Sequence, residues 1–551
     1  MSTQIASRTP YPYEHRLDIW ILNFILLIMS KLEETLRSAF GESATQIEGQ
    51  QPSSIAAFLV PRERFAEAAK ALKKEYALLA AEWATDETLL GKGFGIYACY
   101  RKESEYLIVK TSAPADDPTF PSLTKKFVPA YRFERQISSL MGVTAIGHPD
   151  QRPWIKHEDW PEDAWPLRKS FDASKSLPRV PGEYRWIRAE GEGVYEIPVG
   201  PVHAGIIEPG HFRFQAVGED IINLEEKLGY VHKGIEKRFE AFSWHEASRL
   251  AARTSGDTTV AHSLAYSQAV EALTGCIPPD RALWLRALFL ERERIANHLG
   301  DLGAICNDVA FAILLYQFMR LKEMFLRTNL KLFGHRFMMD RIVPGGTTFD
   351  IDADGVTTIL SELDWLEKEF ERLVVIYDEN SSVEDRVRDT GILKSEKARE
   401  LCVVGFVARA SGLNLDCRIH HPFPPYDRIN VSIPILVSGD VHARAWVRVE
   451  EVRDSMRIIR EILKTLPDGE IAASVGSPMP DRAGFAAVEG WRGEVIYWVQ
   501  SGLKGEINRC MVRDPSSVNW LGLEQCIHGN IVPDFPLCNK SFNQSYSGHD
   551  L

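Results

Sequence analysis

Four long helical stretches in the middle of the chain restrict its fold more than any other feature. Apolar residues recur at helical spacing over roughly 243–274, 281–303, 308–333 and 355–378. Pro278 and Pro279 end the first stretch, and Gly334 ends the third. Long helices that follow one another this closely pack side by side as a bundle. The sequence therefore predicts a mainly helical core for this part of the chain.

The flanking regions combine short strands with shorter helices. Arg62 to Ala81 is rich in Ala and Leu and contains no Gly or Pro, which predicts a helix. Tyr97 to Tyr100 and Glu105 to Val109 predict the two strands of a hairpin. Residues 203–232 contain further short strands around a turn at 218–220. The predicted fold class is therefore α+β: an N-terminal α+β module followed by a large, mainly α helix-bundle domain with small β-sheets.

Composition indicates where the domains meet. Residues 150–200 are rich in Pro, Trp and Asp, which is typical of an extended connector. The apolar run at 19–29 is shorter than the about 20 residues that a membrane-spanning helix needs. We expect four segments: a possible N-terminal extension (1–29), a first domain (30–170), a linker (171–197) and a second domain (198–551).

Charge and cysteine content exclude several classes of function. The formal net charge is −12, so the chain lacks the basic surface that nucleic acids require, and no nucleic-acid partner is expected. The 8 cysteines contain no Cys-x-x-Cys pair, which disfavours a secreted disulfide scaffold and a zinc or iron–sulfur site built by this chain alone. No Gly-x-Gly-x-x-Gly follows a predicted strand, so we expect no dinucleotide site.

Two sets of spaced motifs carry a family resemblance. The first resembles the signature of the complex I 30 kDa (C-type) subunit and comprises 134–137 (Glu-Arg-Gln-Ile), 147–152 (Gly-His-Pro-Asp-Gln-Arg), 158–160 (Glu-Asp-Trp) and 166–169 (Pro-Leu-Arg-Lys). The second comprises 200–203 (Gly-Pro-Val-His), 208–213 (Glu-Pro-Gly-His-Phe-Arg) and 229–237 (Gly-Tyr-Val-His-Lys-Gly-Ile-Glu-Lys). It resembles the complex I 49 kDa (D-type) subunit and, even more closely, the large subunit of energy-converting nickel–iron hydrogenases of the formate hydrogenlyase and hydrogenase-4 type. The resemblance implies the nickel–iron hydrogenase large-subunit fold for the second domain.

The chain departs from those hydrogenases at the metal site. There, an Arg opens a Cys-Gly-x-Cys pair, and a C-terminal Asp-Pro-Cys-x-x-Cys supplies the second pair. The corresponding segments here are 253–258 (Arg-Thr-Ser-Gly-Asp-Thr) and 514–519 (Asp-Pro-Ser-Ser-Val-Asn), so the four thiolate positions hold Ser255, Thr258, Ser516 and Asn519. Nickel in such a site is held by soft thiolates, and neither a neutral hydroxyl nor an amide replaces them. We expect no nickel–iron centre, no metal or cofactor bound directly, and a vacated pocket lined by these four residues.

Only some residues of the complex I quinone site have a counterpart here. In D-type subunits a Tyr hydrogen-bonds the quinone headgroup. The corresponding residue here is Gly256, which has no side-chain donor. Gly256 is still expected to line the same cavity. The resemblance maps the hairpin histidine of that site to His211, with His203 upstream as a cavity-lining residue, and its carboxylate partner to Asp308. We expect His211 and Asp308 to act as the catalytic pair, because a carboxylate raises the pKa of a neighbouring histidine and favours proton delivery.

Two further predictions have structural alternatives. Arg409 and Arg418 resemble the family's cavity-facing arginines and are expected to line the cavity and bind an anionic headgroup, unless they pair with aspartates. Ser255 and Thr258 lie just before an apolar helix, so helix capping is the alternative to lining a pocket.

The resemblance implies a peripheral-arm subunit of a membrane-bound oxidoreductase complex of the complex I or hydrogenase-4 type, on the cytoplasmic face of the cell membrane. A quinone or similar acceptor would take electrons in the cavity, and this transfer would be coupled to ion translocation. The implied partners are an iron–sulfur subunit that carries the cluster, antiporter-like membrane subunits and the complex I H-type subunit, and any link to NADH would run through other subunits. One alternative is a non-catalytic scaffold or coupling subunit, and another is new small-molecule chemistry in the vacated pocket.

Overall fold

The computed structural model describes residues 30–47, 55–156, 158–203 and 207–551. The possible N-terminal extension at 1–29 lies outside the described residues. A sheet-based module comes first, an extended connector follows, and a larger helical part with small sheets completes the fold. The predicted α+β fold class is therefore confirmed.

A five-stranded sheet forms the core of the first module. Its strands are β1 (Thr45–Gln46), β2 (Ala56–Leu59), β3 (Leu78–Asp86), β4 (Phe94–Lys102) and β5 (Glu105–Ala113), in the order β1-β2-β5-β4-β3. Neighbouring strands are antiparallel except β2 and β5, which are parallel. The predicted hairpin is confirmed as β4 and β5. Helices α1 (Lys31–Phe40) and α2 (Phe65–Lys74) each bury one apolar face, as amphipathic helices do.

The predicted helix at 62–81 is only partly correct. It is helical to Lys74, but the chain then turns through Tyr76, which has a positive φ of 62°. Leu78 to Ala81 belong to β3, where Leu79, Ala80 and Ala81 are buried. The Ala-rich and Leu-rich composition fits both structures, and pairing with β4 decides in favour of the strand.

The connector leads from the first module to the second. Helix α3 (Ala130–Met141) packs on β3 and is followed by β7 (Thr144–Ile146), which pairs in parallel with β6 (Thr119–Pro121). From there to residue 193 the described residues contain no helix or extended strand, in agreement with the Pro-rich composition. Strands β8 (Val194–Val199), β9 (His211–Val217) and β10 (Asp220–Lys227) then form an antiparallel sheet, with the predicted turn at Gly218.

The helical part is built around one long buried helix. Short helices α4 (Ile235–Phe239) and α5 (Ala247–Ala251) precede α6 (Thr259–Thr274), α7 (Asp280–Asp308), α8 (Ala312–Phe333), β11 (Ile342–Val343), β12 (Gly346–Thr347) and α9 (Ala353–Asp378). The next elements are α10 (Ser381–Val387), α11 (Ser395–Glu400), α12 (Gly405–Ala410), α13 (Cys417–His420) and α14 (Val441–Thr465). Helix α7 packs between α8 and α14, which makes it the centre of the bundle. The four predicted long helices correspond to α6–α9, except that 243–258 lies outside α6 and contains the short helix α5.

The last part of the chain returns to the core. Strands β13 (Ala483–Gly490), β14 (Gly493–Ser501) and β15 (Ile507–Arg513) form an antiparallel sheet against α6. Helices α15 (Ser516–Cys526), α16 (Phe535–Phe542) and α17 (Tyr546–Asp550) follow, and α16 packs on α7. Residues 545–551 are all buried, so this segment is part of the core.

A buried charge cluster joins the first module to the rest of the protein. Glu494 on β14 accepts hydrogen bonds from Arg101 (2.5 Å) on β4 and Tyr106 (2.5 Å) on β5. It also pairs with Arg513 on β15 and accepts a weaker bond from the Cys417 thiol (3.6 Å). We call these five residues the Glu494 cluster. It connects both modules through one carboxylate that is 1% exposed.

None of the helices in the described ranges has both the length and the apolar character required to cross a membrane.

Candidate functional site

The four positions that correspond to hydrogenase thiolates are buried close to one another. Ser255 lies in the loop after α5, Thr258 directly precedes α6, and Ser516 and Asn519 lie in the first turn of α15. Ser545 joins the two segments, because its hydroxyl lies 2.9 Å from the Ser255 hydroxyl and its backbone N–H donates to the Ser516 hydroxyl at 2.9 Å. Ser545 therefore links the two motifs, through its hydroxyl to Ser255 and through its backbone N–H to Ser516.

Thr258 and Asn519 have other hydrogen-bond partners. Asn519 pairs with the backbone of Val404, accepting its N–H at 2.9 Å and donating to its carbonyl at 3.2 Å. Thr258 donates to Asp257 at 3.0 Å and accepts from the Arg492 guanidinium at 2.9 Å. Neither Ser255 nor Thr258 forms a side-chain cap on α6, so the capping alternative is not what the structure shows.

An ion pair between Asp257 and Arg492 occupies the centre of this region. Both guanidinium Nη atoms donate to the carboxylate, at 2.7 and 2.6 Å, in bidentate geometry. Desolvation by the surrounding protein would raise the pKa of Asp257, but Arg492 and the bonds from Ser255 and Thr258 outweigh it and hold that pKa well below its usual range. The carboxylate is therefore ionised at neutral pH.

A cavity of about 300 Å³ opens beside the two motifs. It is bounded by Ile207 and Glu208, by the loop 255–257, by Arg492, and by residues 539, 540 and 543–547. Gly256 contributes backbone to its wall, and a Cβ added there would meet no atom within 4 Å. Ser255 and Gly256 thus lie at the wall of this cavity, whereas Thr258, Ser516 and Asn519 are not among the residues that line it.

The predicted pair of His211 and Asp308 is not present. The His211 ring lies 4.6 Å from the Trp186 ring in a tilted orientation, and Asp308 accepts a bond from Asn307 at the end of α7. Burial and the nearby cations Arg213 and Lys227 lower the pKa of His211 to about 4, the opposite of the expected direction. Burial raises the pKa of Asp308. The hairpin directs His211 toward Trp186 of the connector instead.

His203 has a structural contact instead of a place in the cavity. Its Nε2 lies 2.7 Å from the carbonyl of Gly210, across the loop that precedes β9. It also approaches the Phe212 ring at 5.8 Å. The prediction that His203 lines the cavity is therefore corrected, because its imidazole contacts the Gly210 carbonyl and the Phe212 ring.

Arg409 and Arg418 do not line the cavity either. Arg409 contacts Asp416, Glu451 and Glu489, and is 0% exposed. Arg418 contacts Asp416 and Glu291 and is 2% exposed. The structure corrects the prediction in favour of the alternative: both arginines pair with carboxylates, in a buried network between α7, α13, α14 and β13.

That network extends along α7. Glu291 binds Arg294 and Arg418, and accepts bonds from Tyr426 (2.6 Å) and Ser455 (2.6 Å). Burial would raise the pKa of Glu291, but the two arginines outweigh it and lower that pKa to about 2. Further along the helix, His298 contacts Glu451 at 2.8 Å. Charged groups at the centre of the bundle are thus paired with one another.

Sequence reasoning did not identify Arg492, Lys540 or Ser545 as parts of the site. One signal was available for Arg492: an aspartate stands between Ser255 and Thr258, and a partly enclosed carboxylate favours a cation beside it. No comparable signal marked Ser545, because its contact with Ser255 joins residues 290 positions apart. Within the described parts of the chain, no group of three or more His, Cys, Asp or Glu side chains has an arrangement suited to a metal ion.

Comparison with known proteins agrees with this architecture. The family model described as "Respiratory-chain NADH dehydrogenase, 30 Kd subunit" matches residues 58–176, and "Respiratory-chain NADH dehydrogenase, 49 Kd subunit" matches residues 308–477. The chain is 31% identical to formate hydrogenlyase subunit 5 of Escherichia coli (strain K12), over 87% of this chain and 85% of that protein. It is 32% identical to hydrogenase-4 component G of the same organism, over 84% and 82%.

Two further relatives extend the comparison. The C/D subunit of the NADH-quinone oxidoreductase of Phocaeicola vulgatus is 27% identical, over 72% of this chain and 80% of that protein. A solved structure of a membrane-bound sulfane sulfur reductase, an archaeal respiratory membrane complex, contains a chain with a TM-score of 0.62 and 25% identity, which covers 66% of this chain and 100% of that one. The chain therefore belongs to the family that unites the complex I 30 kDa and 49 kDa subunits with their formate hydrogenlyase and hydrogenase-4 relatives, and it carries both modules in one polypeptide.

Proposed function

We propose that this chain is a peripheral subunit of a membrane-bound oxidoreductase complex and that its cavity receives an electron acceptor. The observation that carries the proposal is the cavity of about 300 Å³ beside Ser255 and Gly256. A cavity of this size beside two family motifs lies at the lower end of the volume range of small-molecule sites. Names of the relatives, which include a hydrogenlyase subunit, NADH-quinone oxidoreductase subunits and a sulfane sulfur reductase complex, support redox chemistry of this general kind.

The site does not suit a nickel–iron centre. Ser255, Thr258 and Ser516 offer neutral hydroxyls that already bond to Asp257, Arg492 and Ser545, and Asn519 offers an amide that already bonds to backbone. Nickel of this type needs soft anionic sulfur. The chain is therefore proposed to act without nickel, without hydrogenase activity and without a cofactor of its own, and the electrons to come from an iron–sulfur cluster in a partner subunit.

The same proposal assigns the partners and the location. The complex would contain an iron–sulfur subunit of the hydrogenase small-subunit type together with antiporter-like and H-type membrane subunits, and this chain would lie at the cytoplasmic face of the membrane. Membership in the family and the archaeal respiratory membrane complex to which the structural neighbour belongs support this assignment. Coupling of electron transfer to ion translocation belongs to the proposal for the same reason.

A scaffold role is the second candidate. It is favoured by the hydrogen bonds through which Ser545 joins Ser255 to Ser516, in place of a ligand held between these side chains. In that case the fold would transmit structural change between partner subunits and the adjacent cavity would hold only water.

Filling the cavity separates the two candidates. Gly256→Trp places a ring in the cavity, since nothing obstructs a Cβ there, whereas Gly476→Trp places the same ring in an exposed loop with equal freedom. In the purified complex we expect Gly256→Trp to reduce acceptor reduction at least about tenfold and Gly476→Trp to leave it unchanged. Full turnover with Gly256→Trp would reject the cavity as the acceptor site. Stoichiometric nickel in the wild-type complex would reject the metal-free mechanism.

A further inference from the structure

Two carboxylates contact one arginine at a point where three parts of the fold meet. Arg132 lies on α3, Glu226 on β10 and Glu524 on α15. The Nη2 atom of Arg132 is 2.8 Å from Glu226 Oε2 and 2.9 Å from Glu524 Oε1. Glu524 Oε1 also accepts the backbone N–H of Glu226 at 3.1 Å. Because both carboxylates contact the same nitrogen, they lie within about 6 Å of each other, where two negative charges disfavour one another.

The pair of Glu226 and Glu524, which we call the acid pair, has more negative charge than its partner can neutralise. If both carboxyl groups are ionised, two negative charges face the single positive charge of Arg132. Glu226 is 1% exposed and Arg132 is 3% exposed, so water screens these charges little. Within the described residues, no cation other than Arg132 contacts either carboxylate. An uncompensated negative charge in such a place is costly.

Neighbouring cations do not supply the missing positive charge, because each already has a carboxylate of its own. These pairs are Arg135 with Asp150, Arg152 with Asp150 and Glu225, Lys397 with Glu400, and His549 with Asp550. The other titratable groups near the acid pair or its cavity are Tyr131 on α3, Cys526 on α15 and Tyr546 on α17, and none of them adds a positive charge. The remaining source of positive charge is a proton.

Unpartnered atoms beside a cavity also point to a bound proton. Glu226 Oε1 and Arg132 Nη1 are buried and have no hydrogen-bond partner among the described residues. Both residues and Glu524 line a cavity of about 290 Å³, which shares no lining residue with the cavity beside Ser255. A proton converts a carboxylate oxygen into an O–H donor, to which water in the cavity can bond. Burial and the charge of Glu524 raise the pKa of Glu226, and burial raises the pKa of Glu524, as a shared proton requires.

We propose that Glu226 and Glu524 hold one proton in common at neutral pH and exchange it with water through the adjacent cavity. With the proton bound, the acid pair and Arg132 together have no net charge. At alkaline pH the proton leaves, the two carboxylates repel each other, and the junction of the first module with β10 and α15 weakens. This site is independent of the proposed function, since it lies in a separate cavity and is measured without turnover.

Infrared spectroscopy of the chain at pH 7 detects the shared proton, because a neutral carboxyl group has a C=O stretching band that a carboxylate lacks. The spectra of Glu226→Gln and Glu524→Gln are each subtracted from that of wild type. In either variant the remaining carboxylate pairs one-to-one with Arg132 and ionises, so each variant should lose the band of one neutral carboxyl group. Glu323→Gln is the control: bonds from Arg336 lower the pKa of Glu323 to about 2, so its replacement leaves the band unchanged.

The same proton gives unfolding a defined pH dependence. Between about pH 6 and pH 7, folded wild type holds one proton more than the unfolded chain, in which glutamate has a pKa of about 4.3. Each glutamine variant lacks that proton in both states. In urea unfolding, wild type should therefore lose stability relative to Glu226→Gln and Glu524→Gln as pH rises. The ratio of the unfolding constants should change about tenfold per pH unit.

Every outcome of these measurements decides for or against the shared proton. Loss of the neutral-carboxyl band in both single variants, together with the pH-dependent ratio, supports it. A band lost in one variant only assigns the proton to that residue alone and overturns the sharing. If neither variant loses the band, or if the ratio of unfolding constants does not change with pH, both carboxyl groups are ionised and the proposal fails.

Discussion

Removing the charge of Glu494 tests how the two modules are held together. In Glu494→Gln, Arg101 and Arg513 stay buried, at 6% and 1% exposure, but lose their shared anion. Breaking a buried pair by neutralising one partner costs about 3–5 kcal/mol, because a charge is left without compensation. That is a large part of the about 5–15 kcal/mol by which folded proteins are usually stable. We therefore expect a marked loss of stability from a change of one atom.

Urea unfolding of the chain, followed by tryptophan fluorescence, measures this loss. The control is Glu384→Gln, which removes an exposed pair with Arg388 and is expected to cost less than about 0.5 kcal/mol. The double variant Glu494→Gln/Arg101→Gln should be less destabilised than the sum of the single variants, because it removes one of the uncompensated charges. A cost for Glu494→Gln as small as that of Glu384→Gln would refute the reasoning.

The same cluster gives a pH dependence with a defined sign. Burial would raise the pKa of Glu494, but Arg101 and Arg513 outweigh it and hold that pKa below its ordinary value. The stabilisation is therefore complete above the unfolded pKa of about 4.3 and is lost as pH falls through the lower folded value. Wild type and Glu494→Gln should accordingly converge in stability at acid pH.

Two further predictions concern Ser545, at the cavity, and His211, beside the connector. Ser545→Ala removes the hydroxyl that contacts Ser255 and accepts the Gly548 N–H at the start of α17, so it should lower the free energy of unfolding by about 1–2 kcal/mol. The control Ser361→Ala, at an exposed position, should change it by almost nothing. Equal effects of the two variants would contradict the joining role of Ser545. The pKa of His211 is about 4 in the folded protein and about 6.5 in the unfolded chain, so His211 should stay neutral in NMR titrations down to pH 5. Because the unfolded chain binds the proton more readily, wild type should lose stability relative to His211→Gln as pH falls from 6.5 toward 4. An NMR titration midpoint of His211 at or above pH 6.5 would exclude this environment.

The sequence allowed the helices and strands to be predicted more accurately than the contacts between side chains. Hydrophobic spacing and the Pro and Gly positions located α7, α8 and α9 because these signals are local. The segment from Leu78 to Ala81 was misassigned because helix and strand compete there on equal composition, and the neighbouring strand decides. The extended connector was predictable because its proline-rich composition, like the helical spacing, is a local signal.

Residues of the candidate site could be predicted only where they belong to a single sequence motif. Ser255 and Gly256 reach the cavity together because they are neighbours in one loop. The pairing of His211 with Asp308 required knowledge of how the hairpin is turned, and the environment of Arg409 required knowledge of three distant carboxylates. Such contacts depend on tertiary packing, which spacing in the sequence does not encode.

The charged residues at the centre of α7 have a consequence for how this protein tolerates change. Glu291 pairs with Arg418 while Arg294 and His298 both contact Glu451, so replacing any one of them removes a buried charge or polar partner from a shared network. Replacing both members of a pair with apolar residues of similar volume removes that penalty. Sequence variation along this helix should therefore be permitted in matched combinations and rejected one residue at a time.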